Sequence, residues 1–89
     1  MNSLHVSQKN INNGVKGSAS YCPIADSLKE QGYEHPSVWG GKVVYVERRP
    51  NGHSVRRRFG LPRSAMKFIR DFDLGKEVEP ISFKPQSFA

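Results

Sequence analysis

A small α+β domain, running helix, β-hairpin, helix, strand behind a flexible N-terminal arm, is the fold this sequence predicts, and three observations predict it. The stretch Lys42-Val43-Val44-Tyr45-Val46 is β-branched and aromatic, and it leads toward Asn51-Gly52, the strongest hairpin signal in the chain. Ala65, Phe68, Ile69 and Phe72 recur at i, i+3, i+4 and i+7, the spacing of one buried helix face. With 89 residues, 36% of them hydrophobic, there is material for one small core, and a second domain is not expected.

Residues 1–21 are rich in Asn, Ser, Gly and Gln, and Leu4, Val6, Ile11 and Val15 are too scattered for an amphipathic repeat. The expected reading is a mobile arm. No apolar run approaches signal-peptide or membrane-spanning length, so a cytoplasmic location without membrane attachment is expected. Cys22 is the only cysteine, which excludes an intramolecular disulfide and agrees with a reducing compartment.

The domain proper is expected over 22–84, with 85–89 a frayed tail. Pro23 suits a first helical position because its missing N–H has no partner there anyway, and Ile24, Ala25 and Leu28 follow at helical spacing. Gly32 supplies a stop, with Tyr33 folding back on Leu28. After a turn at Glu34-His35-Pro36, Val38 and Trp39 lead into Gly40-Gly41, a bulge or tight bend ahead of the strand. If Asn51-Gly52 forms a two-residue loop, Arg48 opposes Val55, Glu47 opposes Arg56, Val46 opposes Arg57 and Val44 opposes Phe59. One face then carries Val44, Val46, Val55 and Phe59, and the other Tyr45, Glu47, Arg56 and Arg58. Arg57 falls on the apolar face in that register, where either its stem covers the core edge or a bulge turns it outward.

Leu61-Pro62 opens the second helix, whose apolar stripe should form the core with Leu28, Val44 and Phe59. Gly75 ends it, and the alternation of Ile81 with Phe83 predicts a last strand, with Pro80 favouring an edge. Strand order is not fixed by these patterns.

The charge is concentrated. Between Lys42 and Arg70 stand nine Lys or Arg side chains against the single carboxylate of Glu47, a local charge of +8, while the other sixty residues hold five basic and seven acidic groups. The whole net charge of +6 therefore comes from the middle of the chain. A polyanion or a strongly acidic surface is the matching partner. The candidate binding residues are Arg48, Arg49, Arg56, Arg57 and Arg58 on the hairpin and Arg63, Lys67 and Arg70 on the second helix, with Trp39 and Tyr45 as stacking or anchoring groups. The bland alternative is a solvated sheet face with Glu47 paired to Arg56.

Enzymatic chemistry is not expected. His5, His35 and His53 are dispersed, and Cys22 lacks the further ligands a closed zinc site needs, so neither metal nor cofactor is expected. There is no phosphate-binding Gly-rich loop, nucleophile elbow or metal-binding helix motif. A thiol at a helix N-terminus can be activated, but no base accompanies Cys22, and a buried small hydrophobe is the simpler reading.

The stretches CPIADSL (22–28), VWGGKVVYV (38–46) and LPRSAMKFIRDFDLGKEVEPISF (61–83) resemble a family of small bacteriophage and prophage proteins. That family is marked by a Cys-Pro-Ile-Ala opening, a Leu-Pro helix, Phe-Asp-x-Gly and a Val-x-Pro-x-x-Phe end. The resemblance covers roughly residues 22–84 and implies a phage setting in the host cytoplasm, without an assigned activity. This chain departs from the pattern in its long, Arg-rich hairpin.

Two function classes follow. One is a non-enzymatic accessory protein that binds nucleic acid, or a nucleic-acid-containing host complex, through the basic hairpin. The other is a protein–protein inhibitor of a host defence system, anti-CRISPR-like in role, or of a transcription factor, docking on an acidic host surface. The sequence leaves the choice of DNA, RNA or protein, and the oligomeric state, open.

Overall fold

The computed structural model describes residues 3–39 and 41–86. Its elements in chain order are β1 (Leu4–Val6), α1 (Gln8–Asn13), α2 (Pro23–Glu30), β2 (Glu34–Trp39), β3 (Lys42–Arg48), β4 (Ser54–Gly60), α3 (Arg63–Asp73) and β5 (Ile81–Phe83). They form an α+β domain with two antiparallel sheets, a β2-β3-β4 meander and a β1-β5 pair.

The predicted elements are present where local chemistry dictates them. Cys22 caps α2, its Sγ accepting from the Ala25 N–H at 3.4 Å, and Pro23 occupies the first turn. At the other end Gly32 adopts φ +94°, the Tyr33 N–H reaches the Leu28 carbonyl at 3.0 Å and the Gly32 N–H the Lys29 carbonyl at 3.2 Å. This is the paired closure of a Schellman motif. The same closure ends α3, where Gly75 has φ +82° and the Lys76 N–H donates to the Asp71 carbonyl at 2.9 Å.

Residues 3–21 do not form the mobile arm expected over 1–21. Leu4 and Val6 are buried, and β1 pairs with β5 in the register Leu4↔Phe83, His5↔Ser82, Val6↔Ile81. Burial of these apolar side chains under α2 offsets the entropy of ordering the segment. Ser7 caps α1 and shares a capping box with Asn10, whose amide then donates to Asp26 of α2 at 2.7 Å and also to Glu30. The loop that follows is tied down as well, through Val15 N–H to the Tyr21 carbonyl at 2.8 Å and Val38 N–H to the Ala19 carbonyl at 2.8 Å. Met1 and Asn2 lie outside the described residues, as do Gly40 and residues 87–89. Of the predicted tail, Gln86 exchanges backbone hydrogen bonds with Gly60 at 2.7 and 2.9 Å, so the ordered chain extends beyond residue 84.

The turn expected at Glu34-His35-Pro36 is instead the start of β2. The strand pairs Glu34 with Val46 and Ser37 with Val44, and a register shift absorbs His35, at φ +49°, and the buried Pro36. Proline cannot donate to a ladder, so a bulge on an edge strand is where it fits.

The hairpin is displaced by one residue from the predicted pairing. Observed partners are Val43↔Phe59, Val44↔Arg58, Tyr45↔Arg57, Val46↔Arg56, Glu47↔Val55 and Arg48↔Ser54. The cause is the turn. The Gly52 N–H donates to the Arg49 carbonyl at 2.9 Å and the Arg49 N–H to the His53 carbonyl at 2.9 Å, leaving Pro50-Asn51-Gly52 as a three-residue loop. Pro50, with φ locked near −65°, suits the second position of a type I turn, and Gly52 at φ +85° takes the bulge position that follows. A shift of one residue exchanges the two faces.

Val43, not Val44, therefore enters the core with Val38, Phe59, Ile24, Leu28, Ala65 and Phe68. Phe72 is buried and Ile69 partly so, as the helix stripe predicts. Phe59 is 3% exposed, on the inner side as predicted. α2 packs between β2 and β1, covering the inner side of the meander.

Candidate nucleic-acid interface

The outer face of the meander follows from its register. Trp39 pairs with Lys42, Ser37 with Val44, Val44 with Arg58, Val46 with Arg56, and Arg48 with Ser54. Residues directly opposite in an antiparallel pair project to the same side, so this set shares one face. None of these residues is buried. Trp39 is 60% exposed, an unusual disposition for the only tryptophan of a small domain.

Trp39 stands at the centre of the surface relief. On one side a depression of about 230 Å³ is bounded by His35, Ser37, Tyr45 and Val46, and on the other a depression of about 490 Å³ by Lys42, Arg57 and Arg58, with Trp39, Val44 and Arg56 lining both. The Lys42 ammonium lies 5.6 Å from the indole centroid, within cation–π range. The face thus has an aromatic and aliphatic floor with a largely cationic rim, interrupted by Glu34 opposite Val46.

The predicted binding residues separate into groups. Arg56, Arg58 and Trp39 come together on the outer face. Arg48 shares that face, but its Nε donates to both oxygens of Glu34 at 3.1 and 3.0 Å. Arg49 is exposed beside the turn. The Tyr45 and Arg57 side chains alternate to the inner side, while both residues also border the depressions beside Trp39. Tyr45 meets Tyr33 edge to face, with centroids 4.8 Å apart, and lies 6.0 Å from Phe59. Partial burial, first, and then the neighbouring Tyr33 push its phenol above the ordinary tyrosine range. Arg57, rather than Arg56, pairs with Glu47, Nε to Oε2 at 2.6 Å, and this hydrogen bond holds the Glu47 carboxyl below the usual range.

The helix cations are engaged differently. Lys67 donates to Asp71 at 2.8 Å and Arg70 lies 4.0 Å from the same carboxylate. Lys67 and Asp71 border, with Glu77 and Glu79, a depression on the side of α3 that faces the chain entering β5. That setting is mixed in charge, so the expected extension of the basic hairpin surface along α3 is interrupted at Lys67. Arg63 is exposed at the start of the helix.

Lys42, His35, Ser37, Val44 and Val46 were not among the sequence candidates for this face. For Val44 and Val46 the signal lay in Pro50, which selects the longer loop and so turns them outward. Cys22 is 1% exposed, and burial pushes its thiol above the ordinary range, the opposite of activation. Among the described residues no three His, Cys, Asp or Glu side chains converge as a metal site. No helix among them is long and apolar enough to cross a membrane. Comparison with protein-family profiles, curated proteins and solved structures returns no match to this chain.

Proposed function

We propose that this chain is a non-enzymatic accessory protein, in the phage setting its motifs suggest, that binds nucleic acid through the outer face of the β2-β3-β4 sheet. The observation that carries the reading is the gathering of Lys42, Arg56 and Arg58 around the exposed Trp39, beside depressions that no residue of the described helices lines. Guanidinium groups fork onto phosphate oxygens, and an indole offers a surface for a base.

Fluorescence anisotropy with labelled DNA and RNA, repeated between about 50 and 200 mM salt, tests this directly, since neutralised phosphates release counterions and affinity must fall steeply with salt. Binding that is weak for all nucleic acids, together with capture from a host lysate of a protein that nuclease treatment does not remove, would replace it by the inhibitor reading. An interface with an apolar centre at Trp39 would then persist at moderate salt.

A further inference from the structure

We propose that the outer sheet face accepts single-stranded nucleic acid, with one base stacked on Trp39 and the flanking phosphates held by Arg56, Arg58 and Lys42. This rests on the nucleic-acid reading above and specifies its ligand. In a duplex the faces of the bases are occupied by stacking on one another, so an exposed indole gains little from them. In a single strand they are free.

Three features of the face favour the single strand. Trp39 is 60% exposed, and its ring is attached to a paired strand rather than a loop. Val44 and Val46 lie partly exposed on the same face, an apolar floor that phosphate contacts alone would not use. The two depressions, about 230 and 490 Å³, flank Trp39 and share Arg56, so one guanidinium borders the space on both sides of the indole. A single strand presents phosphates beside planar bases, and this face presents cations beside one exposed indole.

Because Trp39 is the only tryptophan, its emission reports on this face alone. A mixed-sequence single strand of about 12 nucleotides, within the usual site size for such surfaces, is compared with the duplex of the same sequence at equal salt, as DNA and as RNA. The expected result is quenching of Trp39 emission by the single strand and tighter binding of it than of the duplex. Trp39→Ala should weaken single-strand binding at least about fivefold with little effect on the duplex, and Trp39→Phe should recover part of the loss. Equal or tighter duplex binding with unchanged emission overturns the single-strand assignment while leaving nucleic-acid binding intact. Absence of binding to either form removes both. Should Trp39→Ala lose its fold in a thermal melt, the emission titration of the wild type and the Trp39→Phe affinities still decide.

Discussion

Arg57 donates from Nε to Glu47 Oε2 at 2.6 Å, diagonally across β3 and β4 on the side of the sheet that carries Phe59. The run Arg56-Arg57-Arg58 is thereby split. Alternation along β4 sends Arg56 and Arg58 to the outer face, and the pair with Glu47 neutralises the arginine between them. Both partners are half exposed, with side-chain accessibilities of 49% and 43%, so the pair adds little to stability at neutral pH.

Its titration is the testable part. Since the folded Glu47 carboxyl is depressed, whatever the pair contributes is fully present above the unfolded value and is lost as pH falls through the folded one. Arg57→Gln should raise the midpoint of the Glu47 carboxyl titration, followed by NMR, toward the ordinary carboxylate range. Urea midpoints of wild type and variant should differ most near neutrality and converge in acid. An unmoved Glu47 titration would mean that the pair does not persist in solution.

Leu4, 3% exposed, lies opposite Phe83 in the β1-β5 pair. Leu4→Ala should therefore cost about 2–5 kcal/mol, as for other buried leucines. The corresponding measurement is urea denaturation followed by circular dichroism. A loss below about 0.5 kcal/mol, the size expected of a surface site, would return the segment to the arm that its composition suggests.

How much of this was legible in the sequence depends on how local the cause is. Pro23, Gly32 and Gly75 mark helix ends through the backbone of a few adjacent residues, and those ends are where the sequence places them. The Ala65, Phe68, Phe72 stripe is equally local. β1 is three residues long and its partner is far along the chain, His5 meeting Ser82 across 77 positions, so no pattern within 1–21 announces it. The hairpin lies between these extremes. Asn51-Gly52 correctly marks the turn, but Pro50 decides between two- and three-residue loops, and that single residue determines whether Val43 or Val44 is buried. The basic character of the candidate site was thus readable as charge, while its composition was not. Which cations accompany Trp39 is a consequence of register.

Asn10 offers a second view of the unannounced N-terminal region. It is 1% exposed, and its amide donates to both Asp26 and Glu30, one turn apart on α2. Its hydrogen bond, followed by that from Lys9, holds the Glu30 carboxyl below the ordinary range. Asn10→Ala leaves the two carboxylates without their shared donor and should destabilise by about 1–3 kcal/mol. The Glu30 carboxyl should also titrate higher. By the same sign rule as for Glu47, the part of the loss that comes from Glu30 is present above its unfolded value and disappears as pH falls through its folded one. A stability loss with no change in Glu30 titration, followed by NMR, would assign the effect to α1 packing alone.

The register of β3 and β4 divides the arginines of β4 between two faces. Arg56, Arg57 and Arg58 are all exposed, but Arg56 and Arg58 share the face of Trp39 while Arg57 projects to the opposite side beside Glu47, so three adjacent residues of one type should behave as two classes. The double variant Arg56→Gln, Arg58→Gln keeps polar side chains at exposed positions and should fold as the wild type does. Its affinity for nucleic acid should fall, and the slope of log affinity against log salt should shrink by up to roughly 1.4 units for a single strand, two phosphates at about 0.7 each. Arg57→Gln should leave affinity and slope much nearer the wild-type values. Anisotropy titrations of the three proteins at several salt concentrations make the comparison without assuming a sequence preference. Equal losses in the two variants would show that the hairpin acts as undirected charge, and that the register of β3 and β4 has no part in how the surface meets its ligand.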